Sequence, residues 1–183
     1  MHCPTDIVFV VDESGSIGSS DFNLMKSFLS RLVSRLDIDS GSTRVGLVTY
    51  STNVGTTINL NAHTSVASVQ AAISSVTYSG RDTNTAAALA HVRTAMLTSA
   101  AGDRINVPNV VVVLTDGESN NETATQVSAK FAARFLPHVL YLKHSRWLIT
   151  TLWQIKRDNT TRSRFTVSCR NYLLFWHFLW YLM

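Results

Sequence analysis

Charge is scarce in this 183-residue chain: Asp, Glu, Lys and Arg make up only 15% of it, against about a quarter in typical globular chains. With 45% apolar residues and eight glycines, the composition excludes a disordered chain, a coiled coil and a collagenous repeat. Cysteine is nearly absent. Cys3 and Cys169 rule out a disulfide-stapled miniprotein, though they could form one bridge. Long apolar runs are also missing. Residues 172–183 (YLLFWHFLWYLM) form a 12-residue run broken only by His177, well short of the ~20 needed to cross a bilayer as a helix. That run reads as a buried strand, an interfacial segment or an artefact, and no membrane span is expected. Residues 1–5 (MHCPT) show neither a basic region nor an apolar stretch, so no signal peptide is read there. The chain starts almost on its first structural element, as a fragment or an incomplete gene model would.

What charge there is lies unevenly. Residues 1–135 carry 9 Lys/Arg and 11 Asp/Glu, whereas residues 136–183 carry 7 Lys/Arg and only Asp158. All four tryptophans, Trp147, Trp153, Trp176 and Trp180, share that last segment. The net charge is +4, and a pI of about 9.3 would ordinarily invite a nucleic-acid reading. Here the basicity belongs to one end of the chain, and no nucleic-acid partner is expected.

The length suits one domain with a substantial core. Residues 6–11 (DIVFVV) are apolar without alternation and stand before a turn-rich ESGSIGSSD stretch, as a central parallel strand covered on both faces would be. Phe22, Met25, Phe28, Leu29, Leu32, Val33 and Leu36 trace one helical face, with Ser20 or Asp21 expected as its cap. Residues 44–50 and 54–60 read as strands joined by Ser51-Thr52-Asn53, a hairpin that makes the second of them an antiparallel edge. Val66, Val69, Ile73 and Val76 sit at helical spacing, and residues 84–98 form an alanine-rich helix. Residues 110–114 (VVVVL) give the strongest strand signal, followed by an amphipathic helix over residues 122–135. The order β-α-β-β-α-α-β-α predicts an open, mostly parallel, doubly wound α/β sheet with one antiparallel edge strand and helices on both faces. Ligands in such sheets bind beyond the carboxyl ends of the strands.

Three polar clusters fall at that place: Asp12-Glu13-Ser14-Gly15-Ser16, Gly80-Arg81-Asp82-Thr83-Asn84-Thr85 and Thr115-Asp116-Gly117-Glu118. Carboxylates and hydroxyls, all oxygen donors, suit a hard cation such as Mg²⁺. Alternation in D-x-S-x-S lets one turn aim its side chains at one point. Taken singly, Ser14 and Ser16 are turn residues and Asp116 starts a turn; all the pieces in order, each at a strand end, point to a site. Together they resemble a von Willebrand factor type A domain, over residues 4–135. The resemblance implies a metal-ion-dependent adhesion site made of Asp12, Ser14, Ser16, Thr83 and Asp116, holding Mg²⁺ or Mn²⁺. It implies that the serines bind the metal directly, and the threonine and aspartates directly or through water. Asp82 and Glu118 match no ligand position and read as solvated loop acids.

Enzyme readings fare poorly. The nucleophile elbow G-x-S-x-G needs a glycine where Ser14 stands, and neither a P-loop nor G-x-G-x-x-G occurs. An aspartyl-phosphate mechanism on Asp12 would want a second aspartate in place of Ser14. The six histidines, His2, His63, His91, His138, His144 and His177, show no metal-ligand spacing. The chain is therefore expected to be no enzyme but a secreted, extracellular matrix or adhesion module whose partner, such as a collagen or another matrix protein, offers a Glu or Asp carboxylate. The opening C-P-x-D-I-V-F-V resembles the extracellular members; the alternative is an intracellular assembly module of a larger ATPase or chelatase-type complex. Asn121-Glu122-Thr123 and Asn159-Thr160-Thr161 fit the glycosylation pattern. The resemblance also implies that Cys3 pairs with a cysteine after the last helix, for which Cys169 is the candidate.

The domain is expected over residues 4–142, with 143–183 as a divergent basic and aromatic tail. Residues 139–142 begin a fifth parallel strand and residues 165–167 a short sixth. The glycines that end the fifth strand in the family are absent, and charge balance, tryptophan usage and periodicity all change there. The tail is expected to derive from a frameshift or intron read-through and not to complete the native fold.

Overall fold

The computed structural model describes residues 4–116 together with the strand path of residues 138–143. Ten elements follow one another: β1 (Thr5–Asp12), α1 (Gly18–Val33), β2 (Thr43–Tyr50), β3 (Val54–Ile58), α2 (Val66–Ser75), α3 (Thr85–His91), a π-helical turn (Val92–Met96), a 3₁₀ turn (Ser99–Ala101), β4 (Asn109–Thr115) and β5 (His138–Lys143). The strands make one sheet in the order β3-β2-β1-β4-β5. Among the described strands β1 is parallel to both β2 and β4, β4 is parallel to β5, and only β2 with β3 is antiparallel. The doubly wound, mostly parallel sheet with an antiparallel edge is thus the one its strand pattern predicts. The expected helix over 122–135, the strand over 165–167 and the tail lie outside the described residues, as do Cys3 and Cys169.

β1 occupies the centre, and Ile7 through Val11 are all at most 2% exposed. Strand alternation deals these side chains to two cores. Ile7, Phe9 and Val11 join Val110, Val112 and Leu114 under Phe22, Met25, Leu29, Leu32 and Val33 of α1 and Val69 and Ile73 of α2. Val8 and Val10 join Val111, Val113, Val48 and Tyr50 under Ala88 and Leu89 of α3 and Val92 and Met96 of the π turn. Burial on both faces is why the strand carries no polar alternation.

Two local features differ from the sequence expectation. α1 begins at Gly18, with Ile17 at the N-cap position and no side-chain cap bond. Ile17 is buried in the α1 core, so its anchoring sets the start of the helix. Asp21 falls in the first turn instead, where a carboxylate complements the helix dipole. The expected single helix over 84–98 is α3 followed by the π turn. Val92 and Met96 are both buried in this turn, and a side chain on Gly46 would come within 3.2 Å of the Met96 methyl.

Gly102 closes the 3₁₀ turn in the left-handed region at φ 95°. A Cβ there would lie 2.6 Å from the Asn61 backbone nitrogen. Strain of this kind costs about 1–3 kcal/mol. Gly102→Ala is accordingly expected to destabilise by that amount in chemical denaturation, and an unchanged midpoint would contradict it.

Candidate metal centre

The parallel register brings the carboxyl ends of β1, β2 and β4 to one edge of the sheet. Asp12 stands opposite Tyr50 of β2, and Thr115 ends β4 one step beyond the Val11–Leu114 pair. Asp12 is fully buried, so its carboxylate must find partners inside the fold. One oxygen, Oδ1, accepts the Ser14 backbone N–H at 2.9 Å. The other accepts the Thr115 hydroxyl at 2.7 Å and, more weakly, the Tyr50 hydroxyl at 3.4 Å. The Tyr50 hydroxyl in turn accepts from Thr85 at 3.3 Å.

Burial raises the Asp12 pKa above the ordinary carboxylate value; hydrogen bonds from Ser14 and Thr115 oppose this, and the charge of Asp116 adds to it. Asp116 follows directly on β4, next to Thr115, whose hydroxyl bonds to Asp12. A desolvated carboxylate with a second acid near it favours a positive charge alongside.

Ser14 and Ser16 stand close together, with their hydroxyl oxygens 3.1 Å apart. Ser14 is buried and Ser16 exposed. The 80–84 loop is laced onto this turn. Ser14 bridges Arg81 in parallel, and the Gly15 N–H donates to the Arg81 carbonyl at 2.7 Å. A Cβ on Gly15 would come 3.2 Å from the Gly80 carbonyl oxygen, so a side chain here would push the loop back by a few tenths of an ångström. Thr83, two residues past the bridge, is buried. Asp12, Ser14, Ser16 and Asp116 therefore gather at one strand end, and backbone lacing holds the Thr83 loop alongside. Asp82 is exposed; Glu118 lies outside the described residues.

Among the described residues no three His, Cys, Asp or Glu side chains gather. The cluster instead mixes carboxylates with hydroxyls. Such an oxygen-only donor set fits a hard divalent cation and suits soft metals poorly.

Sequence reasoning missed the supporting layer. Thr115, Tyr50 and Thr85 are polar groups buried around Asp12, and Glu13 is only 4% exposed. Thr115 had a signal, because the residue before Asp116 must neighbour Asp12 once β1 and β4 pair in parallel.

The centre sits in a recognisable setting. A model of the von Willebrand factor type A domain matches residues 6–139. The mouse collagen alpha-4(VI) chain is 42% identical over 121 residues, 65% of this chain and 5% of that one. Mouse matrilin-1 is 41% identical over 117 residues, 62% of this chain and 23% of that one. This chain thus corresponds to a small part of either relative. Proximal thread matrix protein 1 from the mussel byssus superposes with a TM-score of 0.69 at 24% identity, over 77% of this chain and 37% of that one. Another structure of the same mussel protein, described as having a zinc-occupied MIDAS motif, gives a TM-score of 0.66 at 26% identity over 78% of this chain and 35% of that one. Strand order, the polar cluster beyond the carboxyl ends of the strands and the match across residues 6–139 agree, and the chain belongs to the von Willebrand factor type A domain family.

Proposed function

We propose that this chain is an extracellular adhesion or matrix module that binds a protein partner through Mg²⁺ or Mn²⁺ held by Asp12, Ser14, Ser16, Thr83 and Asp116. The observation that carries this reading is the buried Asp12 carboxylate, fixed at both oxygens beside paired serine hydroxyls. Uncharged hydroxyls neutralise none of the cation's charge, so it keeps an appetite for an anionic oxygen. A Glu or Asp side chain of the partner supplies that oxygen, and the metal serves recognition rather than catalysis. Similarity to a collagen and to matrilin-1 supports a matrix partner, a collagen being the first to try, and supports a place outside the cell. No helix among the described residues is long and apolar enough to cross a membrane.

The test is retention on immobilised collagen with Mg²⁺, then with chelator. Binding that vanishes with chelator and returns with Mg²⁺ is expected, and equal binding in both conditions would refute the reading. Thr115→Val removes the 2.7 Å bond to Asp12 while keeping the shape. Loss of such an orienting contact costs about 10–100-fold in metal affinity, and a Mn²⁺ titration of the variant is expected to show a weakening in that range.

A further inference from the structure

Glu13 stands between two residues of the metal centre yet turns away from it. Its side chain is buried beneath the β2–β3 hairpin, where the Ser79 and Thr49 hydroxyls favour its charged form against burial, and the Ser79 hydroxyl donates to the Glu13 carbonyl at 3.4 Å. The hairpin is irregular at this point, since the β2–β3 register shifts between Val48 and Tyr50. Thr49 uses its hydroxyl oxygen to accept the Thr56 N–H at 2.8 Å. Gly55 makes the room: a Cβ there would lie 2.6 Å from a Glu13 carboxylate oxygen and 2.5 Å from the Thr49 hydroxyl. The carboxylate thus fills a place in the edge strand that any other residue would occupy itself. Bulges of this type commonly re-aim groups beside functional sites.

From Glu13 a line of contacts runs to Thr83. The Ser79 hydroxyl lies 2.9 Å from that of Ser51, and the Glu13 carbonyl accepts the Gly80 N–H at 3.0 Å. The Ser51 carbonyl accepts the Asn84 N–H at 2.8 Å. Thr52 accepts the Asp82 N–H on its hydroxyl at 3.3 Å and the Asn84 side-chain amide on its carbonyl at 3.4 Å. Both neighbours of Thr83 are thereby docked on the 51–52 turn, and Glu13 ties that turn to the D-x-S-x-S turn.

We infer that Glu13 is a positioning residue for the metal centre: its buried side chain, seated under Gly55, locks the 79–84 loop so that Thr83 faces the D-x-S-x-S turn. This rests on the metal-binding reading above. Glu13 does not touch the cation; it acts through Ser79, Ser51 and the loop.

Two measurements on the full chain test this: Mn²⁺ affinity from the spin-resonance signal of free Mn²⁺, and hydrogen exchange of the Gly80 and Asn84 amides without metal, with β1 amides as the control. Glu13→Ala is expected to weaken Mn²⁺ binding by about 10–100-fold, the range for groups that orient metal ligands. It should also speed exchange at Gly80 and Asn84 while leaving β1 protected. Glu13→Gln, which keeps the shape and an acceptor oxygen under Gly55 beside Thr49, is expected to hold near-native affinity. Gly55→Ala crowds the carboxylate from the other side and should weaken binding similarly. Added to Glu13→Ala, it should weaken binding little more, because both act through one contact. Should Glu13→Ala not fold, the comparison of Gly55→Ala with Glu13→Gln carries the test. Native Mn²⁺ affinity in folded Glu13→Ala or in Gly55→Ala, or unchanged loop exchange, overturns the inference alone. Absence of Mn²⁺ binding by the unaltered chain overturns the metal reading and this inference with it.

Discussion

Arg104→Ala is expected to destabilise the fold by about 3–5 kcal/mol, the cost of stranding a buried charge. The stranded partner is Asp6, whose side chain is fully buried at the start of β1 while that of Arg104 is 21% exposed. Arg104 serves it three times, through Nε at 2.9 Å, Nη2 at 2.6 Å and its own backbone N–H at 3.0 Å. The remaining guanidinium donors reach the carbonyls of Thr5, Gly41 and Ser42 at 3.2, 2.9 and 2.9 Å. One side chain therefore ties the loop before β4 to the first strand and to the turn before β2. Lysine cannot copy a planar fork of this kind, so Arg104→Lys should recover only a minor part of the loss. Replacing both partners by apolar residues, as in Asp6→Leu with Arg104→Met, should cost less than Arg104→Ala alone, because no carboxylate is left unpaired. Urea denaturation measures all three. A loss under about 1 kcal/mol for Arg104→Ala, the level of an exposed surface pair, would show that the pair does not hold this end together. Asp6 and Asp12 are six residues apart along β1, about 20 Å at strand rise, so metal affinity of the folded variant should be unaffected.

The second large effect concerns the cation. At a Mg²⁺ or Mn²⁺ concentration about 100 times its dissociation constant, binding to the folded state alone adds about 2.7 kcal/mol. For a chain of this size that raises Tm by about 5–10 °C. Asp116→Ala is expected to abolish the shift and ligand retention together. Asp116 is only half-buried, and its charge acts unfavourably on Asp12. Without cation, then, the variant should melt at or slightly above the unaltered chain. The two chains should differ in their response to metal and hardly at all in its absence. A full cation-induced shift in Asp116→Ala, measured by calorimetry, would remove Asp116 from the proposed ligand set.

The parts of this protein that were legible in its sequence are those governed by neighbours close along the chain. The unbroken apolar runs of β1 and β4 announced strands covered on both faces. The three-residue link Ser51-Thr52-Asn53 announced the antiparallel edge that β3 forms. Asp12, Ser14 and Ser16 were readable because one turn spaces them, and the contacts among these three stay within that turn. What only the tertiary structure decided depends on register between distant segments. Thr115 reaches Asp12 across 103 positions, and Arg104 reaches Asp6 across 98. Nothing near Glu13 along the chain marks its burial, which the missing side chain of Gly55 allows. The π turn was equally illegible: helical spacing over residues 84–98 suited a regular helix, whereas residues 92–96 form a wider turn whose Met96 lies against Gly46. Propensity and periodicity act over a few residues. Which donor meets a buried carboxylate is settled only when strands have paired and the cost of leaving it unpaired must be met by whatever the fold has brought alongside.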